Sequence, residues 1–218
     1  MFDSIDTEIF LGITAPATEQ ELADIESVIH AGDHLSADDF NNELKKHFPF
    51  MFSETGYNHL YDVYDGWLTA FSVPFLIHVK RALAIDGAEA KILDMKEKFG
   101  TLRVYWGYTH EYTELTTTMY ELLSGYYCCH CGKYGAKLTQ SGWVTALCSG
   151  CWNPDHDGNF GSSIPLEPLK ITSYNEGKTV NTEYQSEPWV KSIDELSAVS
   201  KRFTRTWLAI NSSQWVTM

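Results

Sequence analysis

Polar and apolar positions in the first third of the chain alternate at helical spacing. Leu22, Ile25, Val28 and Ile29 keep a period near 3.6 directly after Thr18-Glu19-Gln20-Glu21, a capping box in which a threonine and a glutamate three residues on satisfy each other's backbone amides. Gly32 closes this predicted helix. A second is predicted from Ser36, with Phe40, Leu44 and Phe48 on one stripe and Pro49 as its stop. Residues 50–65 are aromatic and irregular. A longer helix is predicted from Trp67 to Ile85, kinked or restarted at Pro74 and closed by Asp86-Gly87.

The period then shortens to two. Ala90 to Lys96 and Leu102 to Tyr108 predict two strands joined by Glu97-Lys98-Phe99-Gly100, with Leu102, Val104 and Trp106 alternating against Arg103 and Tyr105. Gly100 is expected to supply a positive φ in that connection, and Phe99 reads as a core plug. Thr113 to Leu123 predicts a helix with Leu115, Met119, Leu122 and Leu123 inward and Gly125 as its cap. Further on, Leu169 to Tyr174 and Thr179 to Tyr184 predict a hairpin across Asn175-Glu176-Gly177-Lys178. Ser192-Ile193-Asp194-Glu195 reads as a capping box that opens a helix through Phe203, followed by a tail whose Trp207 and Trp215 fold back on the body. The sum is an α+β fold in three stretches: an acidic helical segment (1–59), a hairpin and helix core with a cysteine-rich ribbon (60–152, ribbon 126–152), and a C-terminal hairpin and helix (153–218).

The cysteines carry the clearest chemistry. Cys128-Cys129-His130-Cys131 and Cys148-Ser149-Gly150-Cys151 each contain C-x-x-C, and sixteen residues separate Cys131 from Cys148. A C-x-x-C knuckle aims two thiolates at one point, and two knuckles complete a tetrahedron. Cys128, Cys131, Cys148 and Cys151 are therefore the expected ligands of a structural zinc ion in a zinc ribbon, with Gly132 letting the backbone turn under the sulfurs. An iron–sulfur or redox role uses the same motif, and free buried cysteines are the remaining alternative. Cys129 is surplus, and His130 and His156 are reserve ligands. A site closed by four thiolates leaves no position for an activated water, so it does not make the chain an enzyme.

Composition adds limits. With 44% hydrophobic and 14% aromatic residues, the 218-residue chain can bury a core and is not a disordered segment. Its acidic start, Met1 to Asp6, and the short apolar run Phe71 to Val79 predict neither export nor a membrane span, hence a cytosolic protein. The net charge of -13 is lopsided: up to residue 65 there are 14 Asp and Glu against only Lys45 and Lys46. Such a field repels nucleic acid and suits a basic partner surface, unless it serves solubility alone.

Lys96-Glu97-Lys98-Phe99-Gly100-Thr101-Leu102-Arg103, followed by aromatics, a helix and a knuckle ending in glycine, with Asp65-Gly66-Trp67 upstream, resembles a loosely defined group of small bacteriophage and prophage proteins of unassigned function. The resemblance covers about residues 60–152. The group often has glycine where this chain has Thr101, and histidine where it has Cys151. It implies phage origin and shared fold more than activity. Lys96, Lys98 and Arg103 form a basic cluster that would hold an anion or partner, or pair internally. Three functions are compatible with these features. One is a regulatory or anti-defence protein that engages a host protein through its acidic face or basic hairpin. Another sequesters a small anionic molecule or nucleotide among Tyr57, Tyr61, Tyr64 and Trp67 with Lys96 and Arg103. The third binds nucleic acid through the ribbon, which the charge disfavours. No base–nucleophile pair or other catalytic constellation is legible.

Overall fold

A computed structural model describes residues 7–108, 111–139, 143–161, 169–175 and 178–214. Three helices open the chain: α1 (Thr7–Ile13), α2 (Glu19–Gly32) and α3 (Ala37–His47). Both predicted starts are realised. Thr18 and Glu21 form the reciprocal capping box of α2, and the Ser36 side chain accepts from the Asp39 amide at the start of α3. Short 3-10 turns at Pro49–Met51 and His59–Asp62 fill the aromatic stretch that follows.

The long helix α4 (Asp65–Asp86) is apolar nearly all round, as a central helix must be, and it contacts α1, α5, α6 and α7. By length and composition α4 could cross a membrane; here 72% of that apolar window is buried within the protein. Its kink lies at Phe71, φ -141° and ψ 18°, three residues before Pro74, whose ring cannot tolerate the regular helical carbonyl behind it. Beside the kink the Val73 amide donates to the buried Ser200 hydroxyl from the last helix at 3.4 Å.

Strands β1 (Ile92–Lys98) and β2 (Thr101–Trp106) pair antiparallel, with Lys98 opposite Thr101 and Lys96 opposite Arg103. Met95, Leu102 and Val104 point inward from one face. Helix α5 (Glu111–Ser124) packs on β2 and closes its edge: the Leu102 amide donates to Ser124 Oγ at 2.7 Å, and the Val104 amide to Glu121 Oε1 at 2.8 Å. Leu115, Met119 and Leu123 are buried as predicted. Leu122 is not; it is 42% exposed, because the inward stripe runs through every fourth residue and leaves 122 on the flank.

The two-residue strands β3 (Lys137–Leu138) and β4 (Ala146–Leu147) form a second antiparallel pair, and β5 (Leu169–Asn175) with β6 (Lys178–Tyr184) a third. Two helices end the described chain, α6 (Glu187–Glu195) and α7 (Ser197–Gln214). Here the structure corrects the expected helix start. Ser192 is no cap; it lies inside α6, which begins five residues earlier with Pro188 in its first turn. Trp207 is buried within α7, stacked on Phe40 and Tyr61, while Trp215 lies outside the described residues. One continuous core draws on residues from all three sequence stretches, from Phe10 to Ile210.

The acidic front is bound into that core by the cations of α4. Arg81 makes a two-pronged bond to Glu21, at 2.7 and 2.6 Å, and also donates to the carbonyls of Ile13, Ala15 and Pro16, which closes the C-terminal end of α1. Lys80 reaches the buried Asp24 at 2.8 Å. Arg202 of α7 pairs with Glu26.

Candidate metal centre

The two knuckles are built by the same local turn. In the first, the Cys128 amide donates to the Lys133 carbonyl at 2.9 Å and the Gly132 amide returns to the Cys128 carbonyl at 2.8 Å, with Gly132 at φ 74°. In the second, the amides of Cys151 and Trp152 both donate to the Cys148 carbonyl, at 3.1 and 3.0 Å. A further bond, from the Cys129 amide to the Ala146 carbonyl at 2.9 Å, ties the first knuckle to β4, which feeds the second.

These turns bring the sulfurs of Cys128, Cys131, Cys148 and Cys151 within 4.8 Å of one another, and none is in a disulfide. Cys131 and Cys148 Sγ are 3.6 Å apart. The four together could hold one metal ion. Burial resists ionisation of Cys148, but the Cys131 thiol and the amides of Gly150 and Cys151 outweigh it and bring that thiol down to about 7. Burial and crowding by the other sulfurs push Cys151 up. Cys129 is outside the cluster, and burial pushes its thiol up to about 12. His130 and His156 are likewise outside it.

The first knuckle rests on the start of α4, through residues whose role sequence spacing did not disclose. The Gly66 amide donates to the Cys129 carbonyl at 2.8 Å, and Trp67 Nε1 donates to the Tyr127 carbonyl at 3.1 Å. The fit leaves no room for a side chain at either glycine: a Cβ on Gly66 would lie 2.3 Å from the Cys128 carbonyl oxygen, and one on Gly132 would lie 2.6 Å from the Gly66 carbonyl oxygen. Gly100, at φ 78°, meets the other side of the ribbon. A Cβ there would lie 2.6 Å from Leu138 and 3.3 Å from Val144. Asp65-Gly66-Trp67, the hairpin turn and the knuckles, far apart in sequence, are thus parts of one assembly.

The hairpin turn is tighter than expected. Its loop is Phe99-Gly100 alone, both at positive φ (55° and 78°), as a two-residue hairpin of the I′ kind requires. Phe99 is no core plug: it is 67% exposed, since its position at the tip of the loop points it away from the buried face. Lys96, Lys98 and Arg103 share the opposite, outer face. Lys96 pairs with Asp94 and lies over the Tyr105 ring; Arg103 approaches Glu121 at 3.5 Å; Lys98 lies over Phe99 at 5.5 Å. The anions they meet come from the hairpin and α5, not from the acidic front. The aromatic set Tyr57, Tyr61, Tyr64 and Trp67 does not join them. Trp67 is fully buried, Tyr57 donates to Asp62, and Tyr61 lines a small cleft with Trp207.

A second polar centre escaped sequence reading altogether. His78 of α4, 1% exposed, lies between Tyr120 of α5 (2.8 Å from Nδ1) and Ser192 of α6 (3.0 Å from Nε2). Burial lowers its pKa to about 3, so the ring is neutral, donating at one nitrogen and accepting at the other. Ser192 and Tyr120 are also buried, which makes this histidine–serine pair a joint between three helices rather than a site open to substrate. No protein-family model, curated protein or solved structure matches the chain.

Proposed function

We propose that the four thiolates hold a structural zinc ion and that the chain is a zinc-stapled, phage-like binding protein, regulatory or anti-defence in role and cytoplasmic in its host. The observation that carries the reading is Phe99. A bulky residue in the left-handed region costs about 1–2 kcal/mol, and this one recovers nothing by burial, so its ring is placed for something outside the chain. Zinc is supported by the donor set: four thiolates at Zn–S distances of about 2.3 Å span roughly 3.8 Å along a tetrahedral edge, close to the 3.6 Å between Cys131 and Cys148. Such a site leaves no open position, so its work is to hold the ribbon against the hairpin turn.

The surface this brace supports combines Phe99 with Trp143, which is 72% exposed and one residue from Val144, the ribbon residue that meets Gly100. Lys98 stands over the Phe99 ring. Exposed aromatics with a cation at the rim fit a host protein segment that is apolar at its centre and acidic at its edge. The acidic front is the weaker candidate, because Glu21, Asp24 and Glu26 are already spent on internal pairs with Arg81, Lys80 and Arg202.

The test is capture from a bacterial lysate with the intact chain and with a Phe99→Asn/Trp143→Ser variant, alongside metal analysis of both. One protein retained by the intact chain and lost by the variant, with one zinc per chain in each, is the expected result. Equal recovery by both, or retention of nucleic acid instead, sinks the hairpin reading. A metal-free preparation with unchanged melting sinks the zinc reading on its own.

A further inference from the structure

A cavity of about 570 Å³ opens where the end of α3, the last turns of α4 and the segment leading into β1 meet. Its size falls in the range of small-molecule sites. We infer that it binds a small amphipathic anion, a carboxylate or phosphate carried on an apolar body.

The apolar part of the wall comes from Pro49, Phe50, Leu83 and the alanines at 84, 88 and 90. Three lysines, Lys46, Lys80 and Lys91, line the same cavity together with His47. This is an unusual concentration for a chain with 16 Lys and Arg against 29 Asp and Glu. Each lysine has one carboxylate partner, Glu43 at 2.8 Å, Asp24 at 2.8 Å and Glu54 at 2.9 Å respectively. None of those three carboxylates is among the lining residues, although each lies within 2.9 Å of a lysine nitrogen, so a bound anion shares each cation with its existing partner. An ammonium has three N–H donors, which leaves donors on each lysine for a ligand oxygen. One of these ammonium positions is fixed in advance: Lys80 is held between Asp24 and the Phe48 ring, 5.1 Å from its nitrogen, so little of its side-chain entropy is lost on binding. Glu89 is the one lining carboxylate, and it disfavours ligands with more than one negative charge. The site does not depend on the zinc or hairpin readings, since none of its residues belongs to either.

Titration calorimetry of the full chain at low salt tests it, with octanoate, phenyl phosphate and octylammonium as probes. Saturable one-to-one binding of octanoate or phenyl phosphate, with no octylammonium binding, is expected, and the stronger of the two anions separates a carboxylate ligand from a phosphate one. Ala84→Trp, at an exposed position that tolerates a large side chain, puts an indole into the cavity against its apolar wall and should weaken binding at least tenfold while melting like the parent. Lys91→Gln should weaken binding about tenfold or more, the scale of one charge-assisted hydrogen bond. The proposal is overturned if neither anion binds at millimolar concentration, if octylammonium binds as well as octanoate, or if both folded variants bind like the parent.

Discussion

The cysteine cluster and the His78 joint do the same mechanical work by opposite chemistry. Each pins elements that are distant in sequence: the cluster joins two knuckles and seats them on α4, and the histidine joins α4, α5 and α6. With the proposed zinc bound, the cluster needs its side chains ionised and held by that cation. The histidine must stay uncharged, because its two partners are neutral hydroxyls and the charge of Arg81 outweighs that of Glu21 at its ring. On that proposal one joint depends on the metal supply and the other on pH, so the two can be broken separately.

Removing the metal is the largest perturbation. Zinc contributes on the order of 10 kcal/mol to the folding of small thiolate sites, so a chelator, or Cys148→Ser, is expected to unfold residues 126–152. Hydrogen exchange should show the loss in the ribbon first and then at the Gly66 amide, whose acceptor is the Cys129 carbonyl. Protection at Gly66 that survives chelation would contradict the seating described above.

His78→Leu comes next. It leaves the hydroxyls of Ser192 and Tyr120 buried without their shared partner, at a cost of about 2–5 kcal/mol read from denaturant melts. The same residue sets a pH response. Its pKa is about 3 folded and about 6.5 unfolded, so the unfolded chain takes up the proton first as pH falls. Stability from this group is complete above pH 6.5 and declines by about 1.4 kcal/mol per pH unit down to about pH 3. Metal loss also follows acid, so the measurement belongs in chelated protein, where the slope should persist in the parent and shrink in His78→Leu. Equal slopes would remove the histidine from the account.

Gly66→Ala strikes the seat itself. Its Cβ would lie within 2.5 Å of three backbone atoms of Cys128 and Cys129, so the knuckle must shift, at about 1–3 kcal/mol. The smallest effect has the opposite sign. Phe99→Asn restores the Asn-Gly pair that this turn favours and should stabilise the fold by about 1 kcal/mol, raising Tm by roughly 2–4 °C. A fall in Tm would mean that the ring serves the fold after all.

The legibility of the two joints differs for a physical reason. The thiolate site is encoded by spacing within single turns, as is the Thr18–Glu21 cap, and both were predictable from a few neighbouring residues. The His78 joint rests on residues 42 and 114 positions away, and no local pattern announces it. Ser192 shows how such a residue misleads: with Glu195 three places on it imitates a capping box, yet Glu187-Pro188 had already begun the helix and the serine faces the imidazole instead. Phe99 is the reverse case. Its size signals a core residue, and only the two-residue loop, with its positive φ values, turns it outward. Gly66 and Gly132 carry no side chain to read, and their meaning appears only when the backbones touch.

That backbone contact also sets an order in time. Trp67 precedes Tyr127 by 60 residues, so during synthesis the start of α4 leaves the ribosome long before the first knuckle exists, and the second knuckle follows later still. The partner backbone of the first knuckle is therefore present in the growing chain before the other two cysteines emerge. On the zinc proposal, a growing chain of this kind offers the metal two thiolates and their backbone seat first, and the last cysteines complete the site.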